Sequence, residues 1–286
     1  FHKGGIEDLS GTIIIDATGD GDIAAWSGAS IEIGRDYDSA CQPMSALFRM
    51  ANVDIERLPD SVEINRFYDR AKKTGEVTNP RHNVLKFYTV HPDVLHFNTT
   101  RVLGKSALDG WSITEAEIEG RRQVQDMVRF LKKYIHGFEE SYLSKTGTQI
   151  GVRESRRIMG HYVLTSEDVL EARHFEDGIA CGCYSIDIHN PDGEGTIIKR
   201  LQEGTYYQIP YRCLIPKKLD NCIIASRCIS TTHEAHGSVR VMPTVWSIGQ
   251  AGGTSAAMCI RKCIQPRDVD VKELRTTLKN QGAFIE

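Results

Sequence analysis

Hydrophobic positions along the chain follow two different patterns. Near both ends, a short run of apolar, mostly β-branched residues precedes a small polar turn: residues 11–16 read Gly-Thr-Ile-Ile-Ile-Asp, and residues 221–225 read Asn-Cys-Ile-Ile-Ala. Runs of this kind predict strands that are buried on both faces of a parallel sheet. Between residues 31 and 210 the candidate strands are 45–52, 84–90, 95–102, 158–164, 179–189 and 206–209. Several of them alternate or carry aromatic residues, which predicts a mainly antiparallel sheet.

Helical spacing predicts four longer helices, over residues 61–74, 113–136, 241–263 and 270–280. The clearest is 113–136, where Ser112 and Glu115 suggest a capping box at the start. The helix over 241–263 has an unusually small middle, Gly-Gln-Ala-Gly-Gly. Since glycine costs about 1 kcal/mol in a helix interior, we expect a close neighbour to offset this cost.

The order of these segments predicts an α/β fold that is discontinuous in sequence. One domain would consist of residues 1–30 and 211–286, and an α+β domain would be inserted between them, over residues 31–210. The turns that follow the two terminal strands, 17–22 and 226–240, would lie at the carboxyl edge of the sheet. That edge is where α/β sheets bind ligands.

Composition excludes several classes of protein. The chain has 286 residues, 40% of them hydrophobic and 26% charged, with a formal net charge of −3, so it predicts a globular protein without a basic surface for nucleic acid. Apolar stretches reach only about six residues, far short of the ~20 needed to cross a membrane. Eight cysteines without a C-x-x-C pair do not predict a disulfide scaffold and favour a reducing, cytoplasmic location.

No metal site is predicted. His233 and His236 are three residues apart, whereas the H-E-x-x-H motif of metalloproteases needs a spacing of four. A zinc site made of Cys228 with these two histidines would need a fourth ligand from elsewhere. Buried or reduced cysteines are the simpler interpretation.

A dinucleotide-binding loop of the form G-x-G-x-x-G does not occur in the sequence. The chain begins at Phe1, and its opening residues read as the tail of a β-hairpin. We therefore expect a fragment, or one part of a split protein, whose pyrophosphate loop lies upstream or on a partner chain. Such a chain should by itself bind a dinucleotide weakly or not at all.

Four segments carry a family resemblance: IIIDATGDGDIAAWSGA (13–29), GVRESRRIMGHYVLT (151–165), SIDIHNPDG (185–193) and the long segment 209–257. Together they resemble the FAD-dependent oxidoreductase family, bacterial flavoproteins related to the glutathione-reductase superfamily. The resemblance implies an incomplete Rossmann-like FAD-binding domain built from both chain ends, and an inserted domain that binds a small organic substrate.

The resemblance also implies positions for the cofactor. The turn after the first strand would line the phosphate and ribityl part of FAD, Ser226-Arg227 would stand where the family more often has Gly-Arg, and the segment before the long helix would face the isoalloxazine ring. The residues so implied are Ala17, Thr18, Gly19, Asp20, Ser226, Arg227, Gly237, Ser238, Val239 and Arg240. The start of the long helix, near Val241, would favour negative charge on the reduced flavin.

Four side chains are candidates for catalysis by hydride transfer to the flavin. His189 would accept the accompanying proton, since an ordinary histidine has a pKa near ~6.5. His233 and His236 would orient the substrate. The planar guanidinium of Arg156 could hold a substrate carboxylate with two parallel hydrogen bonds. Each could equally be a structural residue. The alternative function is a non-catalytic fragment or subunit that needs a missing N-terminal segment or a partner chain to bind FAD; a homo-oligomer is also left open.

Overall fold

The computed structural model describes residues 3–193 and 195–285, and within these ranges the chain is a mixed α/β protein with seven α-helices and short strands. The predicted opening hairpin begins at Phe1 and His2, which lie outside the described residues. The strands are β1 (Ile14–Asp16), β2 (Ile31–Ile33), β3 (Phe48–Ala51), β4 (Lys86–Tyr88), β5 (Leu95–Phe97), β6 (Tyr142–Thr146), β7 (Arg156–Ile158), β8 (Gly178–Gly182), β9 (Ile186–His189), β10 (Thr196–Lys199), β11 (Tyr207–Pro210) and β12 (Cys222–Ile224). The helices are α1 (Asp22–Trp26), α2 (Ser61–Lys73), α3 (Gly110–Tyr134), α4 (Ser166–Leu170), α5 (His233–Val239), α6 (Met242–Lys262) and α7 (Val271–Asn280).

The chain divides into two compact units. The first contains Phe1–Ser39, Arg156–Asp187 and Ile198–Glu286, and the second contains Ala40–Ser155 and Ile188–Ile197. These boundaries differ from the domain boundaries predicted from the sequence, because residues 31–39, 156–187 and 198–210 group with the terminal segments. Their strands β7, β8 and β11 pair or pack with elements of the first unit, which the sequence pattern alone does not reveal.

The first unit joins the two ends of the chain through a parallel strand pair. β1 and β12 lie side by side, with Ile14 opposite Cys222 and Asp16 opposite Ile224. Helix α6 packs against both strands and against β8. The prediction that both ends contribute neighbouring parallel strands is therefore confirmed.

The burial predicted for the first strand is wrong in part. β12 is buried throughout, but Ile14 and Ile15 are 38% and 41% exposed. Within the described ranges, β1 pairs with β12 alone, so the pair is not the interior of a wider sheet. A β-branched run indicates a strand, but it does not indicate how many layers cover it.

The second unit is built on an antiparallel sheet of four strands in the order β4-β5-β3-β6, as the alternating pattern predicted. Its core includes the stacked rings of Phe48 and Phe97, 4.9 Å apart, with residues of α2 and α3 packed around them. Helix α3 begins at Gly110 and is capped by Asp109, whose side chain accepts a hydrogen bond from the Ser112 N–H. The predicted Ser112–Glu115 capping box is therefore wrong.

Two further elements differ from the sequence-based expectation. The segment before α6 contains a separate helix, α5, capped by Thr232, whose hydroxyl accepts from the Ala235 N–H. The strand expected over 179–189 is two strands, β8 and β9. In the part of the chain that the structure describes, no helix has the length and apolar character needed to span a membrane.

Candidate functional site

The turn after β1 is organised by one buried carboxylate. Asp16 is fully buried, and its Oδ1 accepts hydrogen bonds from the Thr18 N–H at 3.1 Å and the Thr18 hydroxyl at 2.7 Å. Its Oδ2 accepts from the Ala24 N–H in α1 at 2.9 Å. The Thr18 hydroxyl oxygen in turn accepts from the Asp22 N–H at 3.0 Å. These bonds fix the turn between strand and helix, which leaves Ala17 to Asp20 at the carboxyl end of the strand.

An ion pair links this turn to the corresponding turn after β12. Arg227 Nη2 donates to Asp20 Oδ1 at 2.6 Å, and both side chains are about three-quarters buried, with 25% and 20% exposed. Gly19 adopts a left-handed conformation with φ of 87°, and a Cβ there would clash with the Arg227 guanidinium. Residues 207 positions apart in sequence therefore meet at one edge, because β1 and β12 run parallel and end together.

Ser226, at the position before this arginine, is 5% exposed. Its hydroxyl lies 3.0 Å from the Sγ of Cys228, also in the turn. Burial raises the pKa of Cys228 to about 12, so this thiol remains protonated at neutral pH. The side chain of Ser226 thus packs within its own turn.

The predicted flavin-facing residues lie in helix α5. Gly237 packs on the backbone of Asp187 in β9: an added Cβ would lie 3.0 Å from the Asp187 carbonyl oxygen. The Ser238 hydroxyl donates to the Tyr184 carbonyl at 2.5 Å, so the Tyr207 hydroxyl, 2.8 Å away, must be the donor to Ser238. Burial raises the pKa of Tyr207, which keeps this phenol a donor. Gly237 and Ser238 therefore have packing and hydrogen-bonding roles that a sequence pattern does not reveal.

The connection from α5 to α6 carries the remaining predicted residues. Val239 is fully buried, and Arg240 Nη2 donates to the Asp187 carbonyl at 3.2 Å. Helix α6 begins immediately afterwards, capped by Val241 without a side-chain hydrogen bond, and Pro243 lies in its first turn. The helix N-terminus near Val241 was thus predicted correctly to within one residue.

The catalytic candidates of the first unit are all buried. His233 and His236 are 3% and 1% exposed and lie in the first turns of α5. Arg156 in β7 donates from Nη1 to Asp22 Oδ1 at 2.8 Å. In this conformation one edge of the Arg156 guanidinium pairs with the Asp22 carboxylate of α1.

His189 belongs to the second unit, where buried polar side chains surround it. The ring is 5% exposed, and its Nδ1 lies 3.0 Å from Nη2 of Arg101. The backbone N–H of His189 donates to Oε1 of Gln42 at 3.2 Å. Neither Arg101 nor Gln42 was a candidate from the sequence, since they lie 88 and 147 positions away from His189 and belong to no motif.

The structure thus brings together one set of predicted residues and adds others. Thr18, Gly19, Asp20 and Arg227 share the edge formed by β1 and β12. Asp16 and Asp22 also lie at this edge, where they bond to Thr18 and Arg156, but they were not predicted as site residues. The position of Asp16 at the end of a β-branched run, directly before the predicted turn, could have indicated it. Among the described residues, no group of three or more His, Cys, Asp or Glu side chains could hold a metal ion.

A parallel strand pair, a glycine-containing acidic turn and a following helix define a mixed α/β protein of the kind expected from the sequence. The family model described as "FAD dependent oxidoreductase" matches residues 1–278. The chain belongs to this family, and FAD is therefore the expected cofactor of its redox chemistry. Curated proteins and solved structures yielded no match.

Proposed function

We propose that this protein transfers a hydride from a small organic substrate to FAD, which the first unit holds at the carboxyl edge of β1 and β12. One observation carries the proposal: Asp20 and Arg227 form an ion pair there at 2.6 Å, across two turns from opposite ends of the chain. That edge of an α/β sheet is a common place for nucleotide ligands. When bound, FAD supplies the hydride acceptor, while the protein supplies binding, orientation and electrostatics.

The side chains at this edge suit the phosphate and ribityl portion of FAD. The Asp20 carboxylate can accept hydrogen bonds from hydroxyl groups, and the Arg227 guanidinium can donate to phosphate oxygens. The Arg227 Nε is buried and has no hydrogen-bond partner among the described residues. Thr18 and Gly19 hold the turn in the conformation that keeps Asp20 beside Arg227.

The N-terminus of α6 supports the second part of the proposal. Its cap, Val241, offers no side-chain acceptor to the first backbone N–H groups of the helix. The positive end of a 21-residue helix favours negative charge nearby. In the proposed function this end stabilises the charge that develops when the cofactor is reduced, and His233 and His236 orient the substrate.

The test compares two arginines of the first unit that form similar ion pairs. Arg227→Met removes the partner of Asp20, and Arg212→Met removes the partner of Asp177, which Arg212 contacts at 2.8 Å. Fluorescence titration with FAD should show affinity weakened at least about tenfold in Arg227→Met, equivalent to about 1.4 kcal/mol. Arg212→Met should bind FAD like the wild type. Equal affinities in all three proteins would contradict the proposed position of FAD.

The alternative function, a chain that binds FAD only with a further segment or partner, stays a prediction. The exposed Ile14 and Ile15 on β1 bear on it, because they leave apolar surface uncovered beside the proposed cofactor edge. Titration of the isolated chain with FAD separates the two: saturable binding supports the chain as sufficient, and binding only after a partner is added supports the alternative. The cytoplasmic location also stays a prediction.

A further inference from the structure

One row of side chains crosses all four strands of the antiparallel sheet in the second unit. Arg49 in β3 pairs with His96 in β5 on one side and with Lys145 in β6 on the other, and His96 pairs with Phe87 in β4. Directly paired residues project from the same face of a sheet. Since Phe48, the neighbour of Arg49 along β3, lies in the core, this row lies on the opposite face, which we call the outer face.

Two cationic side chains of this row lack a carboxylate partner. Arg49 and Lys145 are exposed, and among the described residues neither forms an ion pair. Other cations of the second unit do form such pairs: Arg57, for example, lies 2.8 Å from Glu139. Two adjacent positive charges without a counter-charge create a local field that attracts anions.

His96 adds a polar group whose hydrogen-bonding capacity is not used. Its Nδ1 is buried and has no hydrogen-bond partner within the part of the chain that the structure describes, and a buried polar atom normally has one. At this level of the sheet β4 contributes the uncharged ring of Phe87, 6.2 Å from the His96 ring, while β3 and β6 contribute the cations Arg49 and Lys145. Burial, and next the charge of Arg49, lower the pKa of His96, so the free ring is neutral at pH 7.

A cavity brings these groups together. It has a volume of about 160 Å³ and is lined by Arg49, His96 and Lys145, together with Leu47, Thr146 and Gly147. None of these lining residues carries a carboxylate. A cavity of this size holds several water molecules or one tetrahedral oxyanion. Its lining therefore offers two positive charges and an unused ring nitrogen to a small anion.

We propose that this cavity binds a phosphate group, with Arg49 and Lys145 as its cationic partners and His96 as a further hydrogen-bond donor. The guanidinium can donate two parallel hydrogen bonds to phosphate oxygens, and the lysine ammonium adds a point charge. A doubly charged phosphate balances two unpaired cations, whereas a carboxylate balances only one. The proposal lies wholly within the second unit and does not depend on the flavin chemistry of the first. Binding makes and breaks no covalent bond.

Binding is tested by NMR on the whole chain, with the His96 ring signals identified by their loss in His96→Gln. Inorganic sulfate is the first probe, because it has the shape of phosphate and its two charges do not change over the pH range of the titration. Sodium chloride keeps the ionic strength constant. Sulfate should shift the His96 signals saturably and raise the pKa of His96. By linkage, the affinity for sulfate should rise about tenfold as the ring gains its proton. No saturable shift, or a pKa of His96 that sulfate leaves unchanged, would overturn the proposal.

Variants link this binding to the two cations. Arg49→Met and Lys145→Met should each weaken sulfate binding at least about tenfold, whereas Arg49→Lys, which keeps the charge, should bind within about threefold of the wild type. Lys86→Met is the matched control: Lys86 immediately precedes Phe87 in β4 and therefore projects from the other face of the same sheet. It should bind sulfate like the wild type. Equal weakening in Lys86→Met, Arg49→Met and Lys145→Met would show only a general effect of surface charge and would contradict the proposed cavity.

Two phosphate probes distinguish the free ion from a phosphate ester. Inorganic phosphate and phenyl phosphate are compared by the same titration, at a pH where both are doubly charged. Tighter binding of phenyl phosphate supports an ester whose apolar group contacts Phe87, and equal affinity supports the free ion. Both results support a phosphate cavity. Binding of sulfate without binding of either phosphate would indicate an adventitious ion only, and would contradict the proposal.

Discussion

The close approach of α6 to β12 can be tested by adding one methyl group. In Gly252→Ala, the new Cβ would lie 2.8 Å from the Cβ of Ala225 and 3.6 Å from Cγ2 of Ile223. Carbon atoms in contact normally stay about 3.5–4.0 Å apart, so the helix and the strand must separate. Ala225 immediately precedes Ser226 and Arg227, so the displacement would reach the proposed cofactor edge.

The expected magnitude follows from two opposing effects. Alanine is more favourable than glycine in a helix by about 1 kcal/mol, and overpacking a buried site costs about 1–3 kcal/mol. Gly252→Ala should therefore lower the free energy of unfolding by about 0–2 kcal/mol. Gly253→Ala is the matched control: the next residue of the same helix is exposed, and an added Cβ would have nothing within 4 Å. It should raise the free energy of unfolding by up to about 1 kcal/mol.

Urea unfolding followed by circular dichroism measures both variants under the same conditions. Their free energies of unfolding should differ by about 1–3 kcal/mol, with Gly252→Ala the less stable. FAD affinity should fall in Gly252→Ala and stay at the wild-type value in Gly253→Ala. If both variants were stabilised equally, the close packing of α6 on β12 would be refuted, and with it our explanation of the small residues in this helix.

Three further substitutions or modifications have defined outcomes. Asp16→Asn places an amide N–H₂ against N–H or O–H donors, so the free energy of unfolding measured in urea should fall by about 1–3 kcal/mol. An unchanged unfolding midpoint would contradict the role of Asp16 as a buried acceptor. Thr165→Ala removes the capping box that Thr165 and Asp168 form at α4, so the free energy of unfolding in the same assay should fall by about 1 kcal/mol. An unchanged free energy of unfolding would show that this cap does not stabilise the protein. A thiol-specific disulfide reagent should modify the exposed Cys183 in the native protein. Cys228 should react only after unfolding, because burial both shields it and raises the pKa of its thiol to about 12; native reactivity equal to that of Cys183 would contradict this.

Local patterns in the sequence were sufficient to predict the elements that bury a regular face. The apolar stripe of α3 indicated a long helix, and the structure differs from the prediction only by a few residues at its ends. The glycine-rich middle of α6 indicated close packing, and Gly252 does pack tightly, although Gly253 and Gly249 have open space around them. The spacing of small residues indicates which face of a helix packs closely. Which of these positions requires glycine depends on how near the neighbouring strand lies, and the sequence does not give this distance.

Other features depend on contacts between distant residues and could not be predicted in this way. Helix α5 was missed because its buried residues include polar ones such as His233 and Ser238, so its seven residues show no simple apolar stripe; Thr232 followed by acidic Glu234 was the one local signal. The contact between Arg101 and His189 joins residues from different elements. The role of His189 as a proton acceptor stays a prediction.

The proposed function depends most directly on FAD as the redox cofactor, and the visible absorption spectrum of the purified natural protein tests whether FAD is bound. The spectrum should show the two bands of oxidised flavin, and these bands should bleach when a reductant is added without oxygen. Denaturation should then release a compound with the mass of FAD. A protein that shows no flavin bands, and acquires none when it is incubated with FAD and repurified, would contradict the central claim.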